Sequence, residues 1–411
     1  MPAALVMGPP RYMGPLGVMR SLGALGVPVY GLEHSRPSVS TVSRHCAGTV
    51  RVGVDGHPRG CDDQLLDQLV AAGRTLGEGT VLIPGSDAWS VFVAAHHAEL
   101  REVFALASPR AALVNDLASK QGLHDLAVRH RVPTPAVTVP RTVAEAAGMA
   151  PGLTYPVILK PVSSVPGVEV RVVGGPAELL EQLAGMCPCP DRPNLMFQEY
   201  IPGTDEDVWI FNGYFDRGSR CLAAFTGQKL RQHPAHRGIA SLAVCRENRE
   251  VIDLTTRFMS RLRYHGIVDI GYRFDRRTGE YKILDVNPRL GGAFRVFVDA
   301  NGLDVARALY WDLTGVPVPE VMPNEGRRWL HEGADLIAFK AYRRLDGLTG
   351  RQWMASLRGV QEGATWSATD PMPFALSMWR LAEETLSARW ARAAGRWRAR
   401  RSPGRSGRLA A

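Results

Sequence analysis

A carboxylate and an amide lie two residues apart at the end of a strand-like segment, and an arginine and two glycines follow them. Successive side chains on a strand point to opposite faces, so Asp285 and Asn287 are predicted to share one face. Leu284 and Val286 are predicted to face a core. Carboxylate and amide oxygens are ligands that Mg²⁺ favours, and Arg289 can bind a phosphate or carboxylate through its planar fork. The segment indicates a metal beside nucleotide phosphates.

Lysine is rare in this chain, although Lys and Arg together number 49. Arginine fills most cation positions, so some lysines are expected where a compact ammonium is needed and a guanidinium does not fit. Local sequence favours such a role for three of the five, which are Lys120, Lys160 and Lys229. For Lys282 and Lys340 we prefer compositional bias.

Strand and helix patterns predict how these residues are positioned. A β-α-β opening is predicted from a strand at 3–8, a helix at 18–26 and a strand at 27–31. A later strand ends at Ser86 and Asp87, which could contact a small substrate or cap the following helix. A first domain boundary is predicted near 111–120. Further strands are predicted at 207–215, 221–228, 240–245, 267–274 and 281–287.

Four motifs follow one another over roughly 111–300. They are Lys120, Tyr155-Pro-Val-Ile-Leu-Lys160-Pro, Gln198-Glu-Tyr-Ile-Pro-Gly203 and Asp285-Val-Asn287-Pro-Arg289. Their order and spacing resemble an ATP-grasp domain, of the carboxylate–amine ligase kind that includes D-alanine–D-alanine ligase and D-aspartate ligase. The resemblance implies a mixed fold of the α/β and α+β classes, with a Rossmann-like parallel-sheet domain followed by a two-lobed ATP-grasp domain and a helical, basic C-terminal extension.

The implied domains divide the chain as follows. The Rossmann-like domain covers 1–110 and the ATP-grasp domain 111–325, with a small lobe over about 120–200 and a large lobe over about 201–325. A C-terminal extension covers 326–385, and a basic, partly disordered tail covers 386–411.

The implied activity is ATP-dependent carbon–nitrogen bond formation. ATP phosphorylates a small-molecule carboxylate, and an amine attacks the acyl phosphate to form an amide, which releases ADP and phosphate. The implied cofactors are ATP and Mg²⁺ or Mn²⁺, because oxygen ligands favour hard cations. A homodimer is expected, as among relatives.

The resemblance also assigns the phosphate contacts. Lys120 and Lys160 would hold the α- and β-phosphates. The turn that contains Ser163, Ser164 and Gly167 would cover the β- and γ-phosphates with backbone N–H donors. This turn has fewer glycines than is usual in the family.

The nucleoside contacts are expected after the next strand. A carboxylate beyond Gly203 would bind the ribose, and spacing favours Asp205 over Glu206 and Asp207; the alternative is a solvated acidic loop. The backbone at the adenine edge would come from Gln198, Glu199, Tyr200 and Ile201.

The catalytic cations are expected on two strands. Lys229 and Arg231 alternate along one strand and are predicted to share a face and to bind the γ-phosphate or the acyl phosphate; a solvent-facing strand edge is the alternative. Arg289 would stabilise the transferred phosphoryl group.

One metal ligand of the family pattern is missing. Where relatives carry a carboxylate on the strand paired with that of Asp285, this chain has Gly271. Asp269 lies on the same predicted face and is the expected substitute, while Asp275 is expected to begin a turn. The glycine also supports an alternative from another class, a binding or scaffold protein that kept the fold and lost catalysis.

Charge is concentrated in the tail. The net charge is +9, and the eight arginines after Glu384 account for all but one unit of it. The tail could dock on an anionic membrane or a nucleic acid. We expect instead a helix packed on the body followed by a disordered end, and no specific nucleic acid partner. Six scattered cysteines without a C-x-x-C pair fit reduced thiols, and we expect a cytoplasmic protein.

Overall fold

A four-stranded parallel sheet forms the N-terminal part of the chain. The computed structural model describes residues 1–53, 58, 63–162, 170–186 and 194–401, with the backbone alone at 184–186 and 388–401. The elements of this part are β1 (Ala4–Met7), α1 (Met13–Gly23), β2 (Val29–Leu32), β3 (Cys46–Val50), α2 (Asp63–Leu76), β4 (Val81–Pro84), α3 (Asp87–Ala95) and α4 (His97–Leu100). The sheet order is β3-β2-β1-β4. All of β1 is buried, as expected where helices cover both faces of a parallel sheet. The predicted Rossmann-like sheet is confirmed.

A smaller antiparallel sheet follows. Its part of the chain contains α5 (Ala111–Ala118), α6 (Lys120–Arg129), β5 (Val137–Thr138), α7 (Val143–Met149), β6 (Val157–Lys160), β7 (Arg171–Val173), α8 (Pro176–Met186) and β8 (Met196–Glu199). The order is β5-β8-β6-β7. Leu159 and Phe197 pack with Ala146 of α7 and Leu179 of α8 in one apolar cluster. This packing fixes β6, whose last residue is Lys160.

The largest sheet has seven strands. The elements are β9 (Val208–Phe215), β10 (Cys221–His233), β11 (Ile239–Cys245), α9 (Arg249–Arg261), β12 (Gly266–Asp275), β13 (Glu280–Asn287), α10 (Val305–Leu313), β14 (Arg328–Leu330), α11 (Glu332–Leu345), α12 (Gly350–Ser356), β15 (Val360–Gly363) and α13 (Met372–Arg401). The order is β13-β12-β9-β10-β11-β14-β15. The mixed fold class predicted from the sequence is confirmed, with a helical C-terminal end.

The two faces of the large sheet bury different cores. Phe211 and Tyr272 pack on one face with α5, α6 and α9. Ile210 and Phe225 pack on the other face with α10 and with Val18 of α1. The second face is therefore the one that looks toward the N-terminal sheet, and it carries the candidate site.

One bulge changes the predicted alternation on β13. The register between β12 and β13 slips after Gly271, which leaves Leu284 as an extra residue. Val286 is buried as predicted, but Leu284 is only half-buried. The prediction for Leu284 was wrong because strict alternation assumes that every residue is paired.

The C-terminal part extends the large sheet. β14 pairs with β11, and β15 pairs with β14, so the sheet continues past residue 325, where we predicted a domain limit. The domain limits stay predictions. α13 contacts the N-terminal part through ion pairs of Arg11 with Glu384 and of Arg36 with Glu383. Residues 402–411 lie outside the described part of the chain. Among the described helices, none combines the length and apolarity that a bilayer span requires.

Candidate active site

Two carboxylates and two amides meet on adjacent strands. Asp269 on β12 is paired with Asn287 on β13 and with Asn212 on β9, and Gly271 is paired with Asp285. The Asn287 amide donates to Asp285 Oδ2 at 3.0 Å and to Asp269 Oδ2 at 3.4 Å. The structure thus brings together the three residues that the sequence assigned to a metal.

Gly271 provides the space that Asp285 occupies. A Cβ built on Gly271 would lie 2.2 Å from Asp285 Oδ1, and a Cβ on Gly291 would lie 2.5 Å from Asp269 Oδ1. Both distances are far below van der Waals contact. The missing family carboxylate at Gly271 is therefore matched by an Asp285 side chain that lies over the glycine.

The charge of Asp269 is held in a buried setting. Burial raises the pKa of Asp269 to about 6. The positive charges of Arg289 and Lys229 oppose this rise, whereas the negative charge of Asp285 adds to it. The Lys229 ammonium donates to the carbonyl of Gly238 at 3.0 Å. Lys229 thus lies within electrostatic reach of the carboxylates.

The two lysines that were predicted to hold phosphates lie within electrostatic reach of Asp285. Lys160 is 9 % exposed at the end of β6, and Lys120 at the start of α6 donates to the carbonyl of Pro161 at 2.8 Å. Burial and then the Lys120 charge lower the pKa of Lys160 to about 8, while Asp285 opposes that shift. Burial also lowers the pKa of Lys120, again opposed by Asp285. A buried and a half-buried ammonium group that repel each other would gain from a polyanion between them.

The donor set fits a nucleotide with a divalent cation. Among the described residues, no three His, Cys, Asp or Glu side chains form a metal-holding group. Mg²⁺ is often bound through one or two carboxylates with phosphate oxygens and water completing its shell. Asp285, which lies within electrostatic reach of the two lysines, and Asp269 on the neighbouring strand match that arrangement.

Arg289 joins the site to the N-terminal part. Its guanidinium donates to Asp87 Oδ1 at 2.9 Å, to the Tyr12 hydroxyl at 2.6 Å, to the Leu290 carbonyl at 3.0 Å and to Asn287 Oδ1 at 3.1 Å. An arginine has five N–H donors, so one remains. As placed here, Arg289 orients the Asn287 amide.

Arg231 is not brought to the site. Lys229 is paired with Ala243 and Arg231 with Leu242, so a bulge separates them and they point to opposite faces. The prediction that they share a face was wrong for this reason. Arg231 is buried and ion-paired through two 2.9 Å contacts with Asp335 of α11.

The predicted adenine segment begins within the small sheet. Gln198 is buried and paired with Ile158 of β6. The Glu199 carboxylate accepts hydrogen bonds from Lys282 at 3.0 and 3.1 Å. The strand ends at Glu199, so Tyr200 and Ile201 continue beyond its last pairing, where backbone groups could meet a ligand. Ser163, Ser164 and Gly167 lie outside the described residues.

Asp205 is tied to other side chains. Its carboxylate accepts from Gln232 at 2.8 Å and from the Tyr342 hydroxyl of α11, and it contacts His236 Nδ1 at 3.2 Å. Within the described chain, the neighbouring Glu206 is exposed and has no recorded side-chain hydrogen bond or ion pair. Glu206 is therefore the freer carboxylate for a ribose.

Three residues of the candidate site were not predicted from the sequence. Tyr12 was not considered, and Asp87 was considered only as a substrate contact or a helix cap, whereas it pairs with Arg289 and Ser86 caps α3. Asn212 was also missed. Asn212 is a polar residue inside the largely apolar segment 208–215, and this contrast is the signal that could have identified it.

Known proteins resemble this chain in sequence over part of its length. No family model matches the chain. It is 25% identical over 240 residues to D-aspartate ligase of Enterococcus faecium (strain Aus0004), covering 55% of this chain and 57% of that protein. It is 22% identical over 197 residues to the carbamoyl phosphate synthase large chain of Methanothermobacter thermautotrophicus, covering 46% of this chain and 18% of that protein. The chain thus spans little more than half of the first relative and under a fifth of the second.

Solved structures resemble the chain over 79% of its length. The biotin carboxylase domain of Hydrogenobacter thermophilus 2-oxoglutarate carboxylase, a dimer in complex with MgADP, ADP and bicarbonate, matches with TM-score 0.60 and 16% identity over 73% of that chain. The L-amino acid ligase of Bacillus licheniformis matches with TM-score 0.58 and 15% identity over 78% of its chain. Carboxyaminoimidazole ribonucleotide synthase of Aspergillus clavatus, complexed with ATP, matches with TM-score 0.60 and 13% identity over 80% of its chain. At these identities the likeness concerns the fold.

Proposed function

We propose that this chain, which belongs to the ATP-grasp superfamily, is an ATP-dependent carboxylate–amine ligase that acts through an acyl phosphate. The observation that carries the proposal is that Lys160 and Lys120 of the small-sheet part lie within electrostatic reach of Asp285 on the large sheet, where Asp269 is on the neighbouring strand. One buried and one half-buried lysine near an exposed and a half-buried carboxylate suit a polyphosphate with a bridging cation.

Each residue has a distinct part in the proposed reaction. Lys120 and Lys160 hold phosphate oxygens, and Asp285, Asp269 and Asn287 hold Mg²⁺ or Mn²⁺. The cation, when bound, neutralises charge on the phosphates. Catalysis of this kind consists mostly of positioning and charge stabilisation.

Lys229 is proposed as the cation nearest the transferred phosphoryl group, since its charge already acts on Asp269. The acid substrate's oxygen attacks the γ-phosphorus, ADP leaves, and the amine then displaces phosphate from the acyl carbon.

Arg289 is proposed to keep Asn287 aligned during the transfer rather than to bind the phosphoryl group with its full fork, because four of its N–H groups are already used.

The remaining assignments are part of the same proposal. The adenine edge meets the backbone of 198–201, the ribose meets Glu206 or Asp205, and the turn with Ser163, Ser164 and Gly167 covers the phosphates. We further propose the domain limits 1–110, 111–325, 326–385 and 386–411, a cytoplasmic location and a homodimer. The biotin carboxylase domain of Hydrogenobacter thermophilus, a dimer in complex with bicarbonate, is a precedent for a dimer and a small-molecule ligand in that protein alone.

A screen for ADP release tests the proposal. Small carboxylic acids crossed with amines are incubated with the protein, ATP and Mg²⁺, and Lys160→Ala serves as the inactive control. We expect ADP release that needs both an acid and an amine and that is absent in the variant. Tight ATP binding with no ADP release under any pair would favour the alternative, a binding protein without catalysis, which Gly271 supports.

A further inference from the structure

Asn212 flanks the candidate cation site from inside the sheet. It is fully buried on β9 and is paired in register with Asp269 on β12. Its amide Nδ2 donates to Asp269 Oδ1 at 3.4 Å, a long contact, while Asn287 on the other side donates to Asp269 Oδ2. One amide thus faces each oxygen of the same carboxylate.

The other end of the Asn212 amide has no partner. Asn212 Oδ1 is buried and accepts no hydrogen bond from the described residues. Turning the amide round would place its oxygen against a carboxylate, which is unfavourable, so the present orientation is the one that chemistry prefers. A buried, unpaired carbonyl oxygen destabilises the fold and offsets what the donated hydrogen bond contributes. Stability alone therefore gives no reason for an amide here.

We propose that Asn212 is a positioning residue that holds the Asp269 carboxylate beside that of Asp285 for a divalent cation. Gly271 has no side chain to offer as a ligand, so the cation depends on Asp269, which lies two residues away on the same face of the strand. Asn212 supplies the hydrogen bond that keeps this carboxylate in place. The inference rests on the proposed nucleotide and cation site.

Metal binding separates this role from a structural one. Mn²⁺ is titrated into the full chain in the presence of saturating ADP, free Mn²⁺ is followed by electron paramagnetic resonance, and melting temperature is measured alongside. Asn212→Leu keeps the volume but removes the donor. We expect the Kd for Mn²⁺ to rise about tenfold or more, as for other residues that orient metal ligands, with a melting temperature equal to or above that of the parent.

Thr255→Val is the matched control. The Thr255 hydroxyl is fully buried on α9, behind the opposite face of the sheet, and is bonded to the Tyr272 hydroxyl and the Val251 carbonyl. This change should lower the melting temperature and leave the Kd for Mn²⁺ unchanged. Asn212→Ala, which leaves space instead of filling it, should weaken Mn²⁺ as the leucine variant does and serves if that variant does not fold.

The results distinguish an error in the role of Asn212 from an error in the proposed function. A parent-like Kd for Mn²⁺ in the Asn212 variants overturns the inference. So does a rise in Kd that appears only together with a loss of melting temperature like that of Thr255→Val. If the parent itself binds neither ADP nor Mn²⁺ with ADP, the proposed function is wrong at its base, and the inference falls with it.

Discussion

Lys160 is buried at the end of β6, which makes its charge sensitive to pH near neutrality. Burial lowers its pKa to about 8, so the ammonium is present below pH 8 and is lost as pH rises through that value. We predict that ADP affinity falls by up to about tenfold between pH 7 and pH 9, because about nine tenths of the charge is lost at one unit above the pKa. Calorimetric titration with ADP at the two pH values measures this.

The Lys160→Ala variant supplies the comparison for that titration. It should bind ADP weakly at both pH values and show little change between them, while remaining folded. Lys160→Arg should also bind poorly, since a planar guanidinium does not fit the place of a compact ammonium. Equal affinity of the parent at pH 7 and pH 9 would contradict the assignment.

The Asp285 carboxylate and Gly271 form one steric unit. A Cβ on Gly271 would lie 2.2 Å from Asp285 Oδ1, so Gly271→Ala should turn the exposed carboxylate away with little loss of folding. We predict that Gly271→Ala and Asp285→Asn both lower phosphoryl transfer by orders of magnitude while ADP still binds. Asp269→Asn should have a smaller effect than Asp285→Asn. If Gly271→Ala or Asp285→Asn turns over ATP at the parent rate with saturating Mg²⁺, the metal assignment is wrong.

The residue pattern explains which of these contacts could be predicted. Strand alternation places Asp285 and Asn287 on one face from sequence alone, because both lie on one continuous strand end. The partners of Arg289 are different, since Tyr12 and Asp87 lie about 200 residues or more away in the chain. No local pattern reports such contacts, and only the packing of the N-terminal part against β13 creates them.

At the scale of single elements, the bulge on β10 decides the role of Arg231. Its guanidinium is buried with the carboxylate of Asp335, which also accepts from Ser241 and from the Trp353 indole. We predict that Arg231→Ala lowers the free energy of unfolding by about 3–5 kcal/mol, because it leaves a buried charge unpaired. Denaturant unfolding measures this, and nucleotide affinity in the folded fraction should stay near that of the parent.

A double variant completes the comparison for Arg231. Arg231→Met with Asp335→Leu removes both charges and should recover much of the lost stability. If Arg231→Ala is as stable as the parent but cannot release ADP, the catalytic assignment made from the sequence would be restored.

Helix α11 reaches the predicted ribose carboxylate, which separates the two acidic candidates. Asp205 accepts from Tyr342 and from Gln232, so Asp205→Asn should lower the melting temperature more than it lowers ATP affinity. Glu206 is exposed, and Glu206→Gln should weaken ATP binding several-fold while the melting temperature stays unchanged. ATP titrations and thermal melts of both variants test this, and the reverse pattern would return the ribose role to Asp205.

Element boundaries were easier to predict than element irregularities. Apolar strands such as β9 and β12 appear clearly in the sequence, because most of their residues are apolar and buried. The extra residues near Lys229 and at Leu284 do not appear, since a bulge inserts one residue without altering composition. Each bulge reverses the face of the residues beyond it, which is why Arg231 was assigned to the wrong side.

At the scale of the whole molecule, the resemblance carried by the four motifs predicted the fold class, whereas the final strands were not predicted. β14 has three residues and β15 four, too few to show a period. They nevertheless continue the large sheet, and half-buried ion pairs such as that of Arg295 with Glu362 lie beside them. The C-terminal part also binds the N-terminal part, through Asp370 with Arg20 and Ser43.

Two truncations test how far the folded body extends. A chain ending at 325 loses the partner strand of β11, the Asp335 carboxylate that pairs with Arg231 and the Asp370 contacts with α1. It would expose a sheet edge and leave buried arginines unpaired, so we predict aggregation and no cooperative melting. A chain ending at 401 lacks only residues 402–411 and should match the parent in melting temperature and ADP release. Cooperative melting and ADP binding by the shorter chain would show that residues 1–325 fold independently of the C-terminal strands. A large loss of ADP release in the longer one would show instead that the final ten residues take part in the reaction.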